Sequence, residues 1–336
     1  MRGAHAGLWF AAAILWVAPA LAAGMPRYVG VNLSGAEYGG RKLPGKIHTD
    51  YVYPPPELID YFMDRGMNSF RLPFRWERVQ PEPGGKLNPD ELAHIDAVIA
   101  HVGARGGSVI LDPHNSAHHA GRVIGSPGLP ASALADLWRR LAERYRSNPR
   151  VLFGLMNEPY PIDTGLWFDA AQGAIEAIRK ADAANMILVP GTRWSGAHSW
   201  FSGGRESNAA RYEALRDPGG NMAAEIHQYL DGNSSGTGKT CPKVTQGSDA
   251  LSGVTHWLRR HSYRAYLGEF GASADPMCLE ALDKMLAHIA DNRDVWLGWA
   301  YWAGGPWLGN YPLSVSPRRE GDTPQMRVLM KYAGHK

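Results

Sequence analysis

"VLFGLMNEPYP", residues 151–161, is apolar at Val151, Leu152, Phe153, Leu155 and Met156 and then turns polar at once. A run without alternation is what a parallel strand covered on both faces requires. Asn157 and Glu158 end it, with Pro159 directly behind. A carboxylate at the end of a buried strand is costly unless it is paired. Glu158 is therefore either a strand-end residue reaching solvent or a group held there for its chemistry.

Runs of the same kind occur at "RYVGVNL" (27–33), "MNSFRLPF" (67–74), "GSVILDPH" (107–114), "NMILVPG" (185–191), "AAEIHQY" (223–229), "RAYLGEFG" (264–271) and "VWLGWAYW" (295–302). With residues 150–158 they make eight predicted strands, about 30 to 45 residues apart. Helical stretches lie between them. "PPELIDYFMDRG" opens on prolines and closes on Gly66, and "NPDELAHIDAVIAHVGARG" offers Asn88 as a cap and Pro89 as first residue. Strands alternating with helices predict a parallel sheet. Eight of them predict an α/β fold, a closed (β/α)8 TIM barrel in a single domain over residues 24–336. An open doubly wound sheet is the rival, weakened because no Gly-rich G-x-G-x-x-G turn follows the first strand. No sequence repeat, low-complexity run or long linker divides the chain.

Residues 1–23 have a different character. Arg2, the apolar run Leu8–Val17 and the small-x-small exit Ala20-Leu21-Ala22 have the layout of a secretory signal peptide, cleaved after Ala22 or Ala23. An uncleaved interfacial anchor is the alternative. No later segment approaches the ~20 apolar residues that cross a bilayer. The expectation is a secreted, extracellular or periplasmic protein acting as a monomer, with no membrane association after signal removal. A formal charge of +3 gives no reason to expect a nucleic-acid partner. The two cysteines, Cys241 and Cys278, are expected to pair in an oxidising compartment.

In a (β/α)8 barrel the site is built at the carboxyl ends of the strands. This chain puts there Arg71, then Asp112-Pro113-His114-Asn115, Asn157-Glu158, His227-Gln228-Tyr229, Gly268-Glu269-Phe270-Gly271 and Tyr301-Trp302. Glu158 ends the fourth strand and Glu269 the seventh, so their side chains can converge above the mouth. Two facing carboxyl groups suit glycosidic cleavage, one as acid and the other ionised. Their separation would distinguish retention from inversion. "HNSAHH" (114–119) could suggest a metal site, but no acidic ligand completes it, and neither metal nor cofactor is expected.

"LMNEP" followed about 110 residues later by "GEFG", with "FRLPF", "DPHN", "HQYLD" and "WAGGPW" between and around them, resembles glycoside hydrolase family 5 of clan A. "GVNLSGAEYGG" and "GTRWSGAHSW" look like its cellulase branch, the endo-β-1,4-glucanases. The resemblance spans roughly residues 28–332. It implies Glu158 as acid/base and Glu269 as nucleophile of a retaining double displacement on internal β-1,4-glucosidic bonds. It also implies that Asn157 holds the sugar 2-hydroxyl, Arg71 keeps Glu269 ionised, Tyr229 donates a hydrogen bond to Glu269, and His227 assists Glu158. His114 and Asn115 would line the cleaving subsite, with Trp302 as its floor. The chain departs from the family pattern at Pro113, where relatives carry Leu or Met, which bears on the pitch of the loop holding His114.

Twelve tryptophans are many for this length. Trp76, Trp194, Trp200, Trp302 and Trp307 fall in or just after strand-end segments, whereas Trp138 and Trp257 sit in helical stretches. A flat ring matches the C–H face of a sugar, and a row of such rings would bind a linear β-glucan polysaccharide or oligosaccharide. Trp302 and Trp307 are the stronger candidates; Asn32, Trp194 and His198 are assigned to neighbouring subsites. The same machinery acting on mannan or mixed-linkage glucan, and a non-catalytic carbohydrate-binding barrel, are the alternatives. No cellulose-binding module is visible in these residues, so soluble chains are expected to be better substrates than crystalline cellulose.

Overall fold

Eight parallel strands close on themselves in a ring. They are β1 Tyr28–Leu33, β2 Ser69–Phe74, β3 Ser108–Pro113, β4 Val151–Gly154, β5 Ile187–Pro190, β6 Met222–His227, β7 Ala265–Glu269 and β8 Trp296–Gly304. Each pairs with its neighbour in chain order, and β8 pairs with β1 to complete the circle. The computed structural model describes residues 25–334, so the expected leader, residues 1–23, lies outside them. The eight strands are those predicted, and the barrel prevails over the open sheet.

Helices α1 Pro56–Met63, α2 Pro89–Ala104, α3 Ala131–Tyr145, α4 Thr164–Lys180, α5 Asn208–Tyr212, α6 Gln246–His261, α7 Pro276–Asp291 and α8 Pro324–Met330 form the outer layer. Several begin with the cap and proline that their sequence supplies. Asn88 accepts from the Asp90 N–H ahead of Pro89, Asp275 from the Met277 and Cys278 N–H groups, and Thr323 from the Met326 N–H. No helix among the described residues is long and apolar enough to cross a membrane. A short hairpin, His118–His119 against Arg122–Val123, follows β3 and was not foreseen from the sequence.

The core has two layers. Tyr28, Ile110, Leu152, Leu188, Tyr266 and Leu297 fill the barrel, while a larger cluster including Val151, Phe153, Trp138 and Trp167 lies between strands and helices. Alternate residues of β4 thus enter different layers, and both are apolar. Trp76 and Trp200 belong to the outer layer and are fully buried. Disulfide Cys241–Cys278 joins the β6–α6 loop to the first turn of α7.

Ring closure rests on two glycines. A Cβ at Gly30 would lie 1.6 Å from the Ser69 carbonyl oxygen, and one at Gly298 would lie 1.7 Å from that of Tyr28. Gly298 also has φ +152°, which a side chain disfavours. Backbone on both sides of β1 leaves no room for relaxation. Gly298→Ala is expected to cost about 3 kcal/mol or more, read by chemical denaturation; a loss below about 1 kcal/mol would contradict this account of closure.

Candidate active site

The carboxyl ends of the strands surround a cavity of about 550 Å³, lined among others by His114, Glu158, His198, His227, Glu269 and Trp302. Below it lies Arg71, near the middle of β2 and without solvent exposure. Its Nη1 donates to Glu269 Oε1 and to Asn32 Oδ1, each at 2.8 Å, and its Nη2 donates to Asn157 Oδ1 at 2.8 Å. Nη1 also lies 3.0 Å from Asp112 Oδ2, and Nε lies 2.8 Å from Glu225 Oε1. The Nε–H points off line, so this last contact is an ion pair and not a hydrogen bond. Burial opposes a charged guanidinium, but Asp112, Glu225 and Glu269 outweigh it and hold its proton more firmly than usual.

Glu269 closes β7. Its second oxygen, Oε2, accepts from the Tyr229 hydroxyl at 2.7 Å. Burial, and then the Glu269 charge, push the Tyr229 phenol well above its ordinary range, so it stays a donor. Glu158 arrives differently. The ladder of β4 ends at Gly154, four residues earlier than the sequence predicts, yet pairing continues: Leu155 N–H donates to Leu188 O and Asn157 N–H to Pro113 O. Glu158 then has φ +42°, a left-handed conformation uncommon for a residue with a Cβ. Oxygens of Glu158 and Glu269 lie within 4.8 Å of each other.

The two histidines differ in what faces them. Asn157 Oδ1 is taken by Arg71, which turns its Nδ2 toward His114 Nε2 at 3.1 Å. That nitrogen is therefore an acceptor, and Nδ1–H donates to Asp112 Oδ2 at 2.9 Å. Burial opposes charging of His114 and Asp112 raises its proton affinity above the usual value, but the amide occupying Nε2 keeps the ring neutral in the free site. His227 has no such neighbour. Nδ1 lies 2.9 Å from Glu158 Oε1 and 3.8 Å from Glu269 Oε2. Burial again opposes the charge, but Glu269, Glu158 and Glu225 overcome it and His227 is pushed up to about 10.

Trp302 lies parallel to His114, with ring centroids 5.3 Å apart and an interplanar angle of 18°. Pro113 pairs with Phe74 at the end of β3, and His114 N–H donates to Phe74 O. His198 lines the cavity, held through its N–H by Gln228 Oε1. Trp194 lines it too, 47% exposed and stacked on Tyr160. Other expected contacts fall elsewhere. Asn32 is fully buried, donating to Gly268 O and accepting from Arg71, so it supports the site from beneath. Asn115 accepts from Trp76 N–H and donates to Glu77, which turns it from the cavity. Trp307 is exposed on the β8–α8 loop outside the lining. His118 and His119 bond to the carbonyls of Ser116 and Gln80 and do not converge with His114. Among the described residues the one trio spaced to hold a cation is Glu158, His227 and Glu269.

Residues 31–305 match the family model described as cellulase, glycosyl hydrolase family 5. The chain belongs to glycosyl hydrolase family 5. A probable endo-β-1,4-glucanase B of Neosartorya fischeri is 36% identical over 302 residues, 89% of this chain and 89% of that one. The solved structure of XacCel5A in complex with cellopentaose is 50% identical, covers 92% of this chain and 100% of its own, and superposes with TM-score 0.90. Endoglucanase Cel5A of Pseudomonas stutzeri, solved with cellobiose, is 36% identical over 93% of each chain, with TM-score 0.86.

Two further members of the polar network, Glu225 and Asp112, were given no role from the sequence. The parity of β6 was the available signal for Glu225, since it stands two residues before His227 and so faces the same way. Removing the hub cation would strand three buried carboxylates. Arg71→Met is expected to cost about 3–5 kcal/mol of stability by thermal or urea unfolding; near-wild-type stability would show that the cluster does not depend on it.

Proposed function

We propose that this chain is an exported endo-β-1,4-glucanase that cleaves β-1,4-glucan by retaining double displacement, with Glu158 as acid/base and Glu269 as nucleophile. The observation that carries the reading is that one oxygen of Glu158 and one of Glu269 lie within 4.8 Å of each other. Retaining enzymes hold this pair at about 5–5.5 Å, and inverting ones need about 6.5–9.5 Å to admit water. Export is supported by the leader pattern of residues 1–23 and by the disulfide.

In the first step Glu158 gives its proton to the glycosidic oxygen as the bond from that oxygen to C1 breaks. An oxygen of Glu269 bonds C1, forming a glycosyl ester, and the shortened glucan leaves. In the second step Glu158, now a carboxylate, takes a proton from water while the water oxygen attacks C1. The ester bond breaks and Glu269 is released as a carboxylate. Arg71 and Tyr229 each hold one oxygen of Glu269, fixing its direction before substrate arrives. Asn157, anchored by Arg71, keeps an amide hydrogen for the 2-hydroxyl. Trp302 and the Trp194–Tyr160 pair offer flat apolar surfaces to sugar rings on the cavity wall and rim. Relatives solved with cellopentaose and cellobiose support a β-1,4-linked glucose chain as substrate.

Glu158→Gln is expected to lower kcat on carboxymethylcellulose by about 10²–10⁴-fold. Glu269→Gln should abolish turnover and leave cello-oligosaccharide binding nearly unchanged. Reducing-sugar and viscosity assays across soluble cellulose derivatives, mannan and xylan should place the highest activity on the cellulose derivative. Binding by the native chain without hydrolysis of any of these would support a carbohydrate-binding barrel instead.

A further inference from the structure

Glu225 takes no part in the two steps above, yet it is the deepest carboxylate of the cluster and has no solvent exposure. It points into the barrel from β6, one inward position below His227. Two glycines hollow out its place. A Cβ at Gly268 on β7 would come within 2.3 Å of its Oε1, and one at Gly154 on β4 within 3.4 Å of its Oε2. Neither oxygen has an in-line hydrogen-bond partner. Its neighbours are two nitrogens, both near Oε1: Arg71 Nε at 2.8 Å and His227 Nε2 at 3.5 Å. The backbone of β6 is fixed here as well. Ser195 Oγ donates to the Glu225 carbonyl and accepts from Gly191 N–H. Gly196 pairs with His227 itself.

His227 thus stands between carboxylates on both sides. Glu225 lies below Nε2, and Glu158 and Glu269 lie beside Nδ1. The nearest guanidinium, Arg71, is already engaged by Glu269, Asp112 and Glu225. Gly196, from the loop after β5, brings no charge. A ring nitrogen that turned a lone pair toward a carboxylate would be repelled, so both nitrogens are best protonated. A neutral ring with its proton on Nε2 would point a lone pair at Glu158 and draw the acid's proton away from the glycosidic oxygen.

We propose that Glu225 is a positioning residue for the acid/base: its buried carboxylate keeps the inner nitrogen of His227 protonated in addition to the outer one, so that the doubly protonated ring meets Glu158 as an N–H donor in both steps. The role rests on Glu158 being the acid/base, and it acts through His227 without touching substrate. The geometry agrees with the direction in which His227 is shifted, up to about 10.

The test is a ¹⁵N NMR titration of the His227 ring in the full chain and in Glu225→Gln. In the native chain both ring nitrogens should read as protonated at neutral pH. In Glu225→Gln the titration midpoint should fall by about one unit or more, the effect of losing a neighbouring negative charge. A native ring that is neutral at pH 7, or a midpoint that ignores the substitution, overturns the proposal. If the Gln variant does not fold, Glu225→Asp, which withdraws the charge by one methylene, is read the same way. Its midpoint should lie below the native one, and an unchanged midpoint counts against the role. The readout needs no turnover. A native chain that hydrolyses no glucan would sink the proposed function and leave the titration standing; an unresponsive midpoint in an active enzyme would sink only the role of Glu225.

Discussion

A single guanidinium, buried without solvent exposure, holds the mouth of this barrel together. Arg71 reaches side chains from β1, β3, β6 and β7 and from the extension of β4: Asn32, Asp112, Glu225, Glu269 and Asn157. A lysine in its place would bring one point charge. The planar fork offers donors in several fixed directions at once, which is what five partners around a ring require. Such a cluster costs desolvation energy that hydrophobic side chains would not. Its return is geometric: one oxygen of Glu269 and the Asn157 amide above it are held in fixed directions. Closure of the ring is the precondition, because partners contributed by separate strands keep their places only if every register is fixed. The glycines that let β1 meet β2 and β8 are thus as much a part of the site as the charges above them.

The surroundings assign the two histidines opposite states. An amide pressed against Nε2 leaves His114 a neutral ring, suited to line a subsite beside Trp302. Carboxylates on both sides of His227 leave it charged, suited to sit against a group that must gain and lose a proton. Neither state follows from the residue type. Each follows from what neighbouring strands set against the ring: the Asn157 amide, turned by Arg71, against His114, and the carboxylates of Glu225, Glu158 and Glu269 against His227.

The fold was legible because each strand of a parallel barrel is covered on both faces. That prints eight apolar runs on the sequence at nearly even spacing, and proline and cap residues marked the helices between them. Glu158 and Glu269 were legible for the converse reason, as charges standing where a buried run stops. Less legible are positions where a polar residue serves another polar residue. Asn32 and Asn115 sit at strand ends and read as substrate contacts, but their amides are spent on Arg71 and Glu77. Glu225 lies within an otherwise apolar run, and only its three-dimensional neighbours explain it. Trp200 and Trp76 follow strand ends yet turn into the outer core, since a segment's place in the chain does not fix the side to which its ring points.

The central claim is that the two carboxylates stand close enough for one of them to bond the sugar. The most direct test is ¹H NMR of the anomer released in the first minutes of hydrolysis of a reduced cello-oligosaccharide. The account predicts that the β-anomer appears first and mutarotates later; initial release of the α-anomer would mean that water attacks directly, and would contradict it.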